Sequence, residues 1–273
     1  MKETTNFQTS CLSANTANGK GIVIGPGAII GKDVVLGEGT KIGAHAIITG
    51  RTIVGRNCVI HPHASIAAGQ FSNQHAKENS VIIGDNTTIR EFVTINGSTG
   101  KGLQTQIGSH CLISAYSQID AHCVVGDSVV ISNAVRLAAY AEIESQAVIG
   151  GLALIHPFIK IGRNAMIGGI SKVIHDVPPF IMVNGNPAQA FGINLLGMRR
   201  AGISETKRQI IKKAYKILYL SGLNIARALE VMEEQLVLCE ELKYFIAFLR
   251  SNNREICSKG RASKSKLNPR QVN

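Results

Sequence analysis

A six-residue period runs through most of this chain and constrains its fold more than any other feature. Ile24, Ile30, Leu36, Ile42, Ile48, Val54, Ile60 and Ile66 follow one another without a slip. After an interruption come Ile83, Ile89 and Ile95. A third block runs Ile107, Ile113, Ile119, Val125, Ile131, Leu137, Ile143, Ile149, Ile155, Ile161, Ile167 and Val173. Four residues after most of these stands a small or β-branched residue, among them Ala28, Val34, Thr40, Cys58, Ala64, Ser117, Cys123, Ala141 and Ala165. One hexapeptide can form a short strand and a corner, and three close a triangular coil whose apolar side chains stack from coil to coil. The period therefore predicts a parallel β-helix over residues 22–190. Glycine, frequent just after the aliphatic position, is expected there for its freedom at corners. The interruptions at 67–81 and 96–106 read as loops, which on a rigid scaffold often carry function.

Composition agrees with a solenoid. There are 28 Gly, no Trp and 5% aromatic residues, so the core has to be aliphatic. Residues 1–21 are polar, read as a flexible N-terminus, and contain no apolar stretch of the kind that opens a secretory signal. With no long apolar run elsewhere, no transmembrane segment is expected and the chain reads as soluble and cytoplasmic. The six cysteines lack C-x-x-C spacing, so neither a disulfide framework nor a zinc site is suggested. His61-Pro62-His63 has no evident third ligand, and no metal site is expected. Past Val173 the period dissolves, and apolar spacing changes to helical near Ser204. Ile210, Ile211, Ala214, Ile217 and Leu218 mark one helix; Ile225, Leu229 and Met232, then Leu236, Leu242, Phe245 and Leu249, mark two more. A helical domain is thus expected over 191–252, with a basic disordered tail at 253–273. Much of the net charge of +11 lies after residue 198, which reads first as a solvated end; an acidic protein, an anionic lipid or nucleic acid are the alternatives, and of these nucleic acid is not among the expected partners.

More specific signals sit between the repeats: Gly84-Asp85, Ile89-Arg90-Glu91, Val93-Thr94-Ile95, Gly150-Gly151, Ile155-His156, Asp176-Val177-Pro178-Pro179, Gly185-Asn186, Phe191-Gly192, Asn194 and Gly197-Met198-Arg199-Arg200. In order and spacing, over roughly residues 22–250, they resemble the acyl-carrier-protein-dependent UDP-N-acetylglucosamine O-acyltransferases of lipid A synthesis. The resemblance implies a left-handed β-helix with a C-terminal helical domain and a homotrimer with sites between neighbouring solenoids. It also implies transfer of a 3-hydroxyacyl chain from acyl carrier protein to the 3-hydroxyl of the sugar nucleotide. No bound cofactor is implied, the phosphopantetheine thioester being a co-substrate. Carried over residue by residue, it puts His156, Asn194 and Arg200 in sugar-nucleotide binding and Gly169 in the acyl-chain pocket.

The family's general-base histidine lies in a segment reading His-Ile-Ala-His-Asp-Cys. Here the segment is Gln118-Ile119-Asp120-Ala121-His122-Cys123, and the period around it is unbroken. Ala121 occupies the base position and cannot take a proton. His122 is the candidate substitute base, and His75 in the first loop a second candidate. Other positions depart as well: Phe71 and Asn73 in the first loop, Tyr140 for a cleft histidine, Leu196 for a glutamate, and Ala201 for the second arginine of a pair whose first member is Arg200. Three functions follow as expectations: a weakened acyltransferase of this type, a catalytically inactive paralogue acting as a binding or regulatory trimer subunit, or an acyltransferase for another sugar nucleotide.

Overall fold

The computed structural model describes residues 5–6, 11–12, 17–68, 79–100, 102–251 and 254–259. The hexapeptides form a left-handed parallel β-helix. Its short strands assemble into three sheets of eleven, nine and eight strands among the described residues, one along each side of a triangular prism. Register is kept coil after coil: Ile24 lies beside Ile42, then Ile60, Ile89, Ile113, Ile131, Ile149 and Ile167. All eight are buried. Alternation along a strand places these residues inside and their neighbours outside. After both interruptions the pairing resumes in register, Ser80 beside Arg51 and Thr105 beside Val81, because a one-residue slip would turn the aliphatic column outward.

The small residues at the second interior position close the core at the corners. Cys58, Cys111 and Cys123 belong to this set, and their thiols donate to Gly84 O, Gly126 O and Ala138 O at 3.1, 3.1 and 3.2 Å. Burial pushes the Cys111 and Cys123 thiols up to about 11 and about 12, so both stay neutral.

Glycine plays a different part from the one expected at the position after the interior aliphatic. The left-handed corner conformation falls two residues later, and mostly on residues with side chains, such as His110 at φ 58° and Tyr140 at φ 62°. That conformation costs roughly 1–2 kcal/mol per residue, and most corner N–H groups are met by a carbonyl of the preceding coil, as His110 N is by Asp85 O at 2.9 Å. What requires glycine after the aliphatic is close approach of the next coil: a Cβ on Gly37 would stand 2.4 Å from the Gly55 carbonyl carbon. Gly37→Val is therefore expected to destabilise by about 1–3 kcal/mol, seen as a lower thermal midpoint, with an unchanged midpoint as the contrary result.

The two chain ends differ from expectation. Thr5–Asn6, Cys11–Leu12 and Ala17–Asn18 already pair in parallel with the strands at Val23, Ile29 and Val35, so the solenoid begins within the segment read as a flexible N-terminus. The far end closes with an antiparallel pair, Ile181–Gly185 with Ala188–Ile193. Among the described residues four helices follow: α1 (Leu195–Arg200), α2 (Glu205–Leu220), α3 (Ile225–Gln235) and α4 (Glu240–Ser251). Ser204 caps α2, and Leu236 terminates α3 rather than starting α4. The buried faces are Ile211, Ala214 and Leu218, then Ala228, Leu229 and Met232, then Leu242, Phe245 and Leu249, close to the sequence pattern. Tyr244 of α4 clamps this cap to the solenoid: its hydroxyl donates to Glu144, and Arg163 lies 4.4 Å over its ring.

Residues 254–259, expected within a disordered tail, return to the solenoid as a strap. Asp176 N donates to Glu255 O at 3.1 Å, Cys257 N to Asp176 O at 2.8 Å, and Ala190 N to Ser258 O at 2.8 Å. The basic residues at 260–273 lie outside the described residues. No helix among the described residues is long and apolar enough to cross a membrane.

Candidate functional site

The three prism edges carry different side chains, and the candidate residues are divided among them. One edge carries the corner residues His122, Tyr140 and Phe158, whose rings stack at 4.4 and 4.7 Å between centroids. Arg254 of the strap continues this ladder, its guanidinium 5.7 Å from the Phe158 centroid and donating to Phe158 O.

Just before these corners run two further columns. Strand register aligns Ile95, Ile119, Leu137 and Ile155, so the residues that follow them, Asn96, Asp120, Ala138 and His156, form one column on the outer surface. The next column holds Ala121, Ala139 and Pro157. The result is a shallow window floored by alanines, with Asp120 at one end, His156 at the other and the ring ladder along one side. His156 also lines a cleft of about 420 Å³ with Pro157, Ile159, Ile174, His175, Arg254 and Glu255.

Asp120 is the window's carboxylate, and it was not singled out from sequence. Its Oδ1 accepts from Asn96 Nδ2 at 3.0 Å and from Gln118 Nε2 at 2.8 Å. The signal was present, since Asp120 and His156 both directly follow interior aliphatics two coils apart.

His122 is placed beside the window but is poorly built as a base. Its N–H is held by Ser98 Oγ at 2.9 Å and Thr105 Oγ1 at 3.1 Å, and its ring lies flat on Tyr140. Nδ1 is buried with no partner. Gaining a proton would leave an imidazolium with one N–H buried and unmet, and desolvation already lowers its affinity for the proton. His122 ends a ring stack, and Tyr140, standing where a cleft histidine is expected, is its partner. His75, Phe71 and Asn73 lie outside the described residues.

Gly169 belongs to a second edge, in a column with Gly151 and next to the exposed corners Leu152 and Ile170. A Cβ there would meet only Gly151, at 3.2 Å from its carbonyl oxygen, so the surface above it is open. Farther along this edge His45, His63, Phe92 and Tyr116 stack at 5.3, 5.0 and 5.0 Å. His63 thus belongs to the ladder, whereas His61 pairs with Glu91 at 3.0 Å. Among the described residues no group of three or more His, Cys, Asp or Glu could hold a metal ion.

Asn194 and Arg200 lie at the third edge. Asn194 is 4% exposed, and both ends of its amide are engaged: Nδ2 donates to Asn164 O at 2.9 Å, and Oδ1 accepts from Gly197 N at 2.9 Å. It is the N-cap of α1 and ties that helix to the corner. Arg200, at the end of α1, is exposed and makes no ion pair among the described residues. Leu196, where a glutamate was expected, is also exposed. Asn194→Ala is expected to cost about 1–3 kcal/mol, from the lost cap and the orphaned Asn164 carbonyl; thermal unfolding would register it, and no change would remove this role.

One chain therefore does not bring His156, Gly169 and Arg200 together, because each faces outward from a different edge.

Comparison with known proteins follows the same lines. Residues 176–257 match a family profile described as UDP N-acetylglucosamine O-acyltransferase, domain 2, and residues 33–68 match one described as bacterial transferase hexapeptide (six repeats). A protein named acyl-[acyl-carrier-protein]--UDP-N-acetylglucosamine O-acyltransferase from Anaeromyxobacter sp. (strain Fw109-5) is 40% identical over 199 residues, covering 72% of this chain and 77% of the relative. One of the same name from Gloeothece citriformis is 41% identical over 155 residues, and that match spans just over half of the relative, 56%. The solved UDP-N-acetylglucosamine acyltransferase of Bacteroides fragilis 9343 aligns with a TM-score of 0.86 at 32% identity, covering 93% of this chain and 100% of the other.

Proposed function

This chain belongs to the UDP-N-acetylglucosamine O-acyltransferase family, and from that premise we propose that it transfers a 3-hydroxyacyl chain from acyl carrier protein to the 3-hydroxyl of UDP-N-acetylglucosamine, at a weakened rate. The observation that carries this reading is the alanine-floored window. It keeps His156 beside an open cleft, yet holds a methyl group at Ala121 where the family motif has its base. A positioned general base typically contributes about 10²–10⁴-fold, so the substitution accounts for a slow enzyme.

The working unit in this reading is a homotrimer. Three separate edges each hold part of the expected binding set, and the second edge exposes a run of large apolar side chains: Phe92 is 46% exposed, Tyr116 64%, Leu152 63% and Ile170 74%. Contiguous exposed apolar surface of this kind marks an interaction face. Gly169 then offers a small floor for the acyl chain, and exposed Arg200 a cation for the nucleotide phosphates. The acidic carrier protein suits the chain's net charge of +11.

A second reading, favoured by Ala121 together with the stacked His122, is an inactive paralogue acting as a binding or regulatory subunit. The two are separated by incubating purified protein with 3-hydroxyacyl carrier protein and UDP-N-acetylglucosamine, beside His122→Ala and Ala121→His. Slow turnover by the wild-type protein supports the enzyme. Turnover confined to Ala121→His would mean a scaffold whose chemistry has been switched off, and turnover only with a different sugar nucleotide would move the activity to that acceptor.

A further inference from the structure

We propose that Asp120 is the general base of this site, a catalytic residue that stands in for the histidine missing at position 121. The inference rests on the acyltransferase reading above and names the group that would let it work. In the family motif quoted for this segment the residue before the base is alanine; here it is a carboxylate, so the loss of one proton acceptor coincides with the gain of another at the adjoining position.

Its geometry suits the role. Asp120 lies on the outer surface of the sheet, in the same column as His156. Neighbouring parallel strands are spaced by about 4.8 Å, so their two rows are about 9.6 Å apart. Ala138 alone fills the row between, and Ala121 and Ala139 keep the adjoining column small. A sugar hydroxyl seated over Ala138 comes within reach of a side chain from either end.

The carboxylate is also oriented. Both of its hydrogen bonds, from Asn96 at 3.0 Å and Gln118 at 2.8 Å, go to Oδ1, while Oδ2 has no partner among the described residues. One oxygen is anchored by the scaffold and the other is free for the acceptor. Arg136, which follows Gln118 in strand register and is exposed without an ion-pair partner, adds a cation to the same face.

In the reaction the acceptor hydroxyl gives its proton to Asp120 Oδ2 as its oxygen bonds to the thioester carbonyl carbon. The resulting tetrahedral adduct collapses with cleavage of the C–S bond, and the departing phosphopantetheine thiolate takes up the proton, returning Asp120 to its charged form.

The test is Asp120→Asn, which retains an oxygen for the amides of Asn96 and Gln118 but cannot accept the proton. With 3-hydroxyacyl carrier protein and UDP-N-acetylglucosamine, kcat is expected to fall by about 10²-fold or more while KM changes by less than about threefold. Adding Ala121→His to Asp120→Asn is expected to restore turnover, which a misfolded or misassembled protein would not allow. Wild-type kcat in Asp120→Asn, or a loss that Ala121→His fails to recover, would overturn the role of Asp120 and leave the acyltransferase reading in place. A wild-type protein with no turnover at all would remove both.

Discussion

Ala121→His is expected to raise kcat/KM for acyl transfer by about 10–10³-fold over the wild-type protein, equivalent to roughly 1.4–4 kcal/mol of transition-state stabilisation. Ala121 is half-buried, its carbonyl accepts from Tyr140 N at 3.2 Å, and Ala139 follows it in the next coil. Substitution leaves that backbone hydrogen bond intact, and the small residue above gives an imidazole room to stand. It would enter a window already bounded by His156 and by the ring ladder, so the gain requires no rearrangement of the solenoid. The companion variant should behave differently. His122→Ala removes a ring held flat on Tyr140 and is expected to keep turnover within about threefold of wild type, because no proton transfer is lost. A fall of about 10²-fold in His122→Ala would return the base role to His122. No gain from Ala121→His in an active enzyme would mean that the window is not where the acceptor hydroxyl sits.

The fold was legible because its core is periodic: once Ile119, Leu137 and Ile155 are seen to recur at the coil length, their stacking follows, and with it the sheets. The site was legible only in part. Asp120 and His156 share a column by the same counting that places the core, although only His156 matches a family motif. The placing of His156 and Gly169 on two different edges follows from position within the coil and is equally countable, whereas Arg200 lies on α1, which a tertiary contact from Asn194 to Asn164 ties to the third edge. Other features depend on contacts between coils that no local pattern reports. The glycine at position 37 answers to the Gly55 backbone, a tertiary neighbour, and a dihedral argument misplaces its purpose. The stacking that holds His122 flat needs a ring one coil away at the same corner, and the orphaned Nδ1 shows only when the ring's surroundings are known. The strap was lost in a polar, basic segment because its hydrogen bonds are made by the backbone, which composition does not encode.

Ending the chain after Ser251 is expected to lower the thermal midpoint by about 6–24 °C relative to ending it after Lys259. The strap supplies Glu255 O to Asp176 N and Ser258 O to Ala190 N, and these donors belong to residues that are 1% and 0% exposed. Each buried N–H left without an acceptor costs about 1–3 kcal/mol. Cys257 is fully buried, its thiol raised to about 12 chiefly by desolvation, so removing it opens apolar surface that the strap now covers. Together these losses come to roughly 3–6 kcal/mol, and each kcal/mol shifts the midpoint of a domain of this size by about 2–4 °C. Arg254 connects this stability to the site, because the same strap lays its guanidinium over Phe158 and walls the cleft beside His156. The shorter chain is therefore expected to bind the sugar nucleotide less tightly even at temperatures where it remains folded. Equal midpoints for the two truncations would show that the strap rests on the solenoid without supporting it, and that Asp176 and Ala190 find other acceptors when it is gone.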